Sequence, residues 1–200
     1  MKKKGTFMMT IGLLLLAAAL VLTGYNVWEA KRAEKFSSVA LDAMIEHIEQ
    51  NTSEQMGIPD YMLFPEKEMP TVLIDDLYYI GILQIPELDL NLPILDSEWS
   101  YPKLQKAPCR YIGSIYKNDM VIAGHNIWSH FSPIKKLEVG SEVQFIDAEG
   151  NVFNYTVGWV EILQPTDVEE LTDSEEWDLT LFTCTYSGSE RYTVRCIREP

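Results

Sequence analysis

From Phe7 to Val27 the chain is almost wholly apolar and carries no charge. About 20 apolar residues are needed to cross the hydrocarbon core of a bilayer, so this run predicts a membrane-spanning helix. Lys2, Lys3 and Lys4 precede it as a basic cap. That cap predicts a cytoplasmic N-terminus, with the remainder of the chain outside. The rival reading is a cleaved signal peptide, with Ala17-Ala18-Ala19 supplying small residues for cleavage. The apolar run continues through Leu20-Val21-Leu22, where a cleavage region is usually polar, and this favours an uncleaved anchor.

Beyond the span, the pattern changes twice. Residues 28–49 are polar and helical in composition, and Val39, Leu41, Ala43, Met44, Ile45 and Ile48 make a partial apolar stripe. Asn51-Thr52-Ser53 and Gly57-Ile58-Pro59 end this juxtamembrane helix. Residues 57–76 hold three prolines and several acids and read as a stalk or strap, with Tyr61, Met62, Leu63 and Phe64 expected to pack in part on the C-terminal domain. The same stretch is also a candidate lid.

From Tyr78 onward short strand patterns dominate. Runs at 79–85, 88–94, 120–123, 142–146 and 152–157, the last extended to Leu163, are rich in β-branched and aromatic residues. Asp147-Ala148-Glu149-Gly150-Asn151 reads as a hairpin turn. Leu179 to Thr185 and Arg191 to Arg195 form two further runs about a Ser187-Gly188-Ser189 turn. Seven or eight short strands with few helices predict a mainly β fold, a closed barrel or a sandwich. The domains expected are 1–27, cap and anchor; 28–77, juxtamembrane helix and strap; and 78–200, the β domain.

Charge excludes one class of partner. Residues 1–35 hold six basic and two acidic side chains, so 36–200 hold ten and 28, a net of −18. A nucleic acid is not expected as a partner, because phosphate binding needs basic patches.

Cysteine usage points to chemistry. Cys109, Cys184 and Cys196 are an odd number, so at least one thiol stays free. Cys184 closes a strand next to the polar Thr183, while Cys109 and Cys196 read as small core residues. His125 follows the apolar run Val121-Ile122-Ala123, and Arg191 opens the strand after Cys184. A thiol, an imidazole and a guanidinium at strand ends are the parts of a thiol acyl-transfer site. With a side-chain period of two, Arg191, Thr193 and Arg195 share one face and Tyr192, Val194 and Cys196 the other. If Arg191 faces Cys184, Cys196 does not, and Arg195 is the alternative to Arg191. His130 is expected at the rim of the site or packed there, and His47 has no partner in sequence.

These segments resemble the sortase family. Thr180-Leu181-Phe182-Thr183-Cys184 is similar to its cysteine signature, Ala123-Gly124-His125-Asn126 to its histidine segment, and Arg191-Tyr192-Thr193-Val194-Arg195 to its arginine strand. Ile85-Pro86 with Leu92-Pro93-Ile94 resembles its early strand pair. The resemblance covers residues 78–198 in the right order, behind an N-terminal anchor. It implies the sortase β-barrel and a cysteine transpeptidase of the Gram-positive cell surface. Such an enzyme cleaves a Leu-Pro-x-Thr-Gly-like sorting signal, holds the acyl chain as a thioester, and passes it to an amine of a peptidoglycan precursor or a pilin.

On matching positions Cys184 is the nucleophile, His125 the general acid and base, and Arg191 the oxyanion or positioning group. Thr183, Asn126 and Thr185 are expected to touch substrate. No cofactor and no metal are expected; Glu169, Glu170, Glu175 and Glu176 read as solvated charge. The subclass stays open. The short segment 164–178 argues against class B, and Thr185-Tyr186 resembles class C or D more than class A. Two other readings compete: a wall enzyme resembling the L,D-transpeptidases, with Cys196-Ile197-Arg198 as its motif tail, and a non-catalytic, membrane-tethered binding or metal domain.

Overall fold

A computed structural model of the chain describes residues 2–52, 58–64, 66–96, 100–173 and 175–200. The span and the juxtamembrane segment are one continuous helix, α1 (Lys2–Thr52). No proline interrupts residues 2–52, and Glu29-Ala30-Lys31-Arg32-Ala33 are strong helix formers, so nothing breaks the chain where the membrane pattern ends. None of the apolar window is buried against protein. Farther along, Ala33, Ser37, Ala40 and Met44 are buried, at spacings of four, three and four. This stripe is displaced from the expected one: Val39 and Ile45 face solvent. Alanine and serine win the contact because small side chains let the helix lie close to the sheet at Ala40 and to the 102–106 segment and the loop of His130 at Ala33 and Ser37.

The strap comes next, with the short α2 (Asp60–Leu63). Tyr61 stacks on Tyr116 at 5.0 Å between ring centroids and tilts against Phe153 at 5.1 Å. Met69 is buried and Lys67 pairs with Glu149 at 3.0 Å. Met62, Leu63 and Phe64 remain exposed, so only Tyr61 of that quartet packs. Residues 57 and 65 of the expected strap lie outside the described residues.

Nine strands complete the chain: β1 (Val72–Ile74), β2 (Leu77–Ile85), β3 (Leu90–Leu95), β4 (Cys109–Ile112), β5 (Met120–Ala123), β6 (Glu142–Asp147), β7 (Val152–Leu163), β8 (Leu179–Cys184) and β9 (Arg191–Arg198). Two one-turn helices interrupt them, α3 (Tyr101–Leu104) and α4 (Val168–Thr172). The order is β1-β2-β3-β4-β5-β8-β9-β7-β6, and β2 also pairs β6. That last pairing closes β2 to β9 into an eight-stranded barrel, as the strand count predicted, with β1 an extra edge on β2. Closure leaves the eight strands no free sheet edge.

Side chains of opposite parity build two cores. Ile80, Leu83, Phe145, Phe153, Leu181, Val194 and Cys196 fill the barrel. Val121, Ala123, Leu163 and Phe182 point outward and meet Ala40 and Met44 of α1 and Leu171 of α4 in a second cluster. Fully burying a side chain such as Met44 contributes about 2 kcal/mol, so α1 is held as part of the domain and is no free stalk.

The strap closes the far end of this barrel. Tyr116 precedes β5 and Phe153 lies at the start of β7, whereas His125 follows the other end of β5 and Cys184 closes β8. A lid role for residues 57–76 does not fit that placement.

Candidate active site

The site forms where three strands end together. β5 and β8 run parallel, with Ala123 paired to Phe182. The alignment continues one step: the Gly124 amide donates to the Phe182 carbonyl at 2.9 Å, and Thr183 Oγ1 donates to the Gly124 carbonyl at 2.8 Å. Two residues beyond the Ala123–Phe182 pair, on neighbouring strands, stand His125 and Cys184. On the other side β8 pairs β9 antiparallel, and Cys184 is directly opposite Arg191. Neighbouring strands lie about 5 Å apart, so the thiol sits between the imidazole strand and the guanidinium strand. Cys184 is half-buried, while Cys109 and Cys196 are buried, and all three are free thiols.

His125 is set by a tight loop. Its carbonyl accepts from Ile127 at 2.8 Å and Phe131 at 3.1 Å. The Phe131 ring lies where a Cβ on Gly124 would stand, so only glycine fits there. Tyr101 of α3 meets the His125 ring edge-on at 5.6 Å. Burial pushes the His125 pKa down, partly offset by the Glu29 carboxylate, so the imidazole is largely neutral at pH 7.

A second cation, Lys135, has no motif to announce it. Its Nζ donates to Asn126 Oδ1 at 2.6 Å and lies 4.0 Å from the Tyr186 ring centroid. Burial lowers its pKa, and the nearby Cys184 opposes that shift. Asn126 Nδ2 donates to the Thr185 carbonyl at 3.3 Å, and Tyr192 Oη donates to the Lys135 carbonyl at 3.3 Å. Three of these contacts tie the histidine loop to the cysteine–arginine hairpin, and the Lys135–Asn126 bond braces the loop itself.

The three residues expected to touch substrate therefore already have partners within the chain. Thr183 is buried and points away from the Cys184 face. Asn126 and Thr185 bond each other, and Thr185 Oγ1 also shares a hydrogen bond with Ser187 Oγ at 3.0 Å.

The two candidate arginines divide. Arg191 is half-exposed, and its Nη1 donates to the Gly188 and Glu190 carbonyls at 3.3 and 3.2 Å. Arg195 is buried to 2% exposure under α4. Its Nε bonds Glu161 at 2.8 Å, its Nη1 bonds the Leu171 carbonyl and Thr180 Oγ1, both at 3.0 Å, and its Nη2 bonds the Glu170 carbonyl. A guanidinium so engaged holds the 164–178 connection and is not available to a substrate, which removes Arg195 as the alternative.

His130 also proves to be structural. It is fully buried, with Nε2 3.4 Å from Ser37 Oγ on α1, rather than at a rim. Ser37 Oγ further donates to the Lys106 carbonyl, and Ser129 Oγ to the Ala30 carbonyl, so α1 braces the histidine loop from behind. His47 bonds Asn51 within the helix, at 2.8 Å. Burial pushes Cys196 far up from an ordinary thiol pKa and Cys109 up to about 12, which leaves neither suited to be the nucleophile. Glu169, Glu170, Glu175 and Glu176 are exposed, and among the described residues no three His, Cys, Asp or Glu side chains are grouped to hold a metal ion.

Comparison with known proteins points to one family. The sortase domain family model matches residues 83–199. Sortase A of Bacillus anthracis is 27% identical over 191 residues, covering 92% of this chain and 90% of that protein. Among solved structures, a Clostridium perfringens sortase D5 transpeptidase superposes with a TM-score of 0.58 at 20% identity, covering 80% of this chain and 99% of that one. Clostridium perfringens sortase C, solved with the C-terminal cell wall sorting motif, superposes at 0.55 and 22% identity, covering 80% and 90%.

Proposed function

The chain belongs to the sortase family of cysteine transpeptidases, and from that premise we propose that it is anchored in the membrane through residues 7–27 and cleaves a Leu-Pro-x-Thr-Gly-like sorting signal through a thioester on Cys184. The observation that carries this reading is the row His125–Cys184–Arg191 across three adjacent strands. The sorting motif held by the Clostridium perfringens neighbour supports the substrate class.

In this mechanism Cys184 Sγ attacks the scissile carbonyl as the neutral His125 imidazole takes the thiol proton. Arg191 turns from the Gly188 and Glu190 carbonyls and donates to the developing oxyanion. Its charge is permanent, so the donor is present at any pH the enzyme meets. The imidazolium then protonates the leaving amine, and the acyl chain remains on sulfur. An incoming amine gives its proton to His125, attacks the thioester and releases Cys184. The amine belongs to a peptidoglycan precursor or a pilin, and the barrel works on the outer side of the membrane.

The test uses the full-length chain in neutral detergent micelles with a Leu-Pro-x-Thr-Gly peptide set and triglycine as acceptor. A peptide product carrying triglycine after the threonine, lost in Cys184→Ala and in His125→Ala, is the expected result. Release of the fragment ending in a free threonine carboxylate, with no acceptor dependence, points to a hydrolase instead. No reaction with any peptide contradicts the substrate assignment.

A further inference from the structure

A cavity of about 240 Å³ lies between α1 and the α3 segment, at the level where the apolar span ends. Trp28, Glu29, Arg32 and Phe36 line it from the helix, and Pro102 and Lys106 from the barrel. Trp28 directly succeeds the expected span, and Arg32 is one turn beyond, about 6 Å farther along the axis. That height is the headgroup layer, which begins where the hydrocarbon ends and is a few ångströms deep.

The cavity lining carries two cations, Arg32 and Lys106, against the Glu29 carboxylate, in an otherwise acidic domain. Sixteen lysines and arginines are present; three precede the span and thirteen lie beyond it. Five of those thirteen, Lys31, Arg32, Lys35, Lys103 and Lys106, lie on the two segments that form this cavity, beside Glu29 and Glu34, and Arg32 and Lys106 line it. Arg32 Cζ stacks over Trp28 at 5.5 Å and over Phe36 at 5.7 Å, and Lys106 Nζ lies 5.7 Å from the same Phe36 ring. Among the described residues neither Arg32 nor Lys106 has an acidic partner within salt-bridge distance. The one carboxylate in the cavity, Glu29, accepts from Gln105 Nε2 at 2.7 Å.

We propose that this pocket binds the phosphodiester headgroup of an anionic membrane lipid. The guanidinium fork of Arg32 matches two phosphate oxygens, Lys106 adds a point charge from the barrel side, and Trp28 sits at the interface as such rings do. The barrel is then fastened to the bilayer at α3, whose Tyr101 touches His125. The active site is held at the membrane surface against the repulsion that an acidic domain meets there. The inference rests on the reading of residues 7–27 as an anchor.

The test titrates the full-length chain, in neutral micelles, with dihexanoyl phosphatidylglycerol and follows the thermal midpoint of the barrel. Dihexanoyl phosphatidylcholine and inorganic phosphate are run in parallel. Binding to the folded state raises the midpoint with saturation. Phosphatidylglycerol should do so, and the double variant Arg32→Gln, Lys106→Gln should need on the order of tenfold more lipid. Arg32→Lys keeps the charge and loses the fork, so its response should fall between those of the parent and the double variant, a graded loss that separates weakened ligand binding from misfolding. Equal saturation of parent and double variant overturns the proposal. So does an inorganic phosphate response as large as the lipid's, which assigns the pocket to free phosphate. Flotation of the chain with vesicles separates the two readings. A chain that does not float sinks the anchor and this pocket together, whereas one that floats without a lipid response sinks only the pocket.

Discussion

Cys184 and Arg191 are direct cross-strand partners at the last rung of the β8–β9 ladder. Their side chains leave the sheet on the same outer face, while Tyr192, Val194 and Cys196 turn toward the barrel interior. Four residues on, Arg195 shares the Arg191 face yet is sealed under α4. One strand thus carries two arginines with separate duties.

Their variants should separate accordingly. Arg191→Ala should fold normally and lose on the order of 100- to 1000-fold in kcat, the usual cost of one oxyanion donor. Arg195→Met strands the Glu161 carboxylate and two carbonyls, and should destabilise the fold by about 3–5 kcal/mol in urea unfolding. Equal loss of stability in both variants contradicts the division.

Lys135 binds the histidine loop to the hairpin through Asn126 and Tyr186. Lys135→Met keeps much of the volume and removes both contacts. A cation–π pair and a charged hydrogen bond each contribute roughly 1–2 kcal/mol. Amide exchange at residues 126–131 and 185–190 should quicken by about tenfold, with a parallel fall in kcat/KM. Unchanged exchange shows that the loops are held by something else.

How much of this was legible in the chain depended on the range of the signal. The strands from 142 to 163, the two hairpin turns and the opposed faces of β9 obey local rules, period two and turn chemistry, and the structure reproduces them. Cys184, His125 and Arg191 stand out as candidates because each lies at one end of a readable strand. β1, with three residues, and β4, with four, are too short to show a period. The docked face of α1 departs from the expected stripe because sequence favours large apolar residues such as Val39 and Ile45, whereas close approach to the barrel and its loops selects Ala33, Ser37 and Ala40. Lys135 and Arg195 look like ordinary surface charges until the barrel closes and brings Asn126, Tyr186 and Glu170 to them.

Gly124 is where the histidine loop leaves the sheet. A methyl group there meets the Phe131 ring. Gly124→Ala should displace Phe131 or the loop, destabilise by roughly 1–3 kcal/mol, and lower activity more than stability alone explains. Activity equal to the parent at a temperature where both are folded shows that His125 tolerates the shift.

Burial, with repulsion from His125, holds His130 down at about 4, against an ordinary 6.5. A folded-state pKa below the unfolded one means that the unfolded chain binds more protons between those values. Its contribution to stability is therefore complete above pH 6.5 and declines as pH falls toward 4, by up to about 3 kcal/mol. Urea unfolding at pH 7.0 and 4.5 should show the decline, and His130→Gln should flatten it. An equally steep decline in that variant assigns the effect to other groups.

The central claim is that Cys184 becomes acylated. Intact-mass spectrometry of the full-length chain, mixed with Leu-Pro-x-Thr-Gly peptides and quenched in acid, tests it most directly. The account predicts an adduct equal to the peptide fragment ending at threonine, located on Cys184, labile to hydroxylamine and absent from Cys184→Ala. Cleaved peptide with no adduct on the parent, or the same adduct on Cys184→Ala, contradicts it.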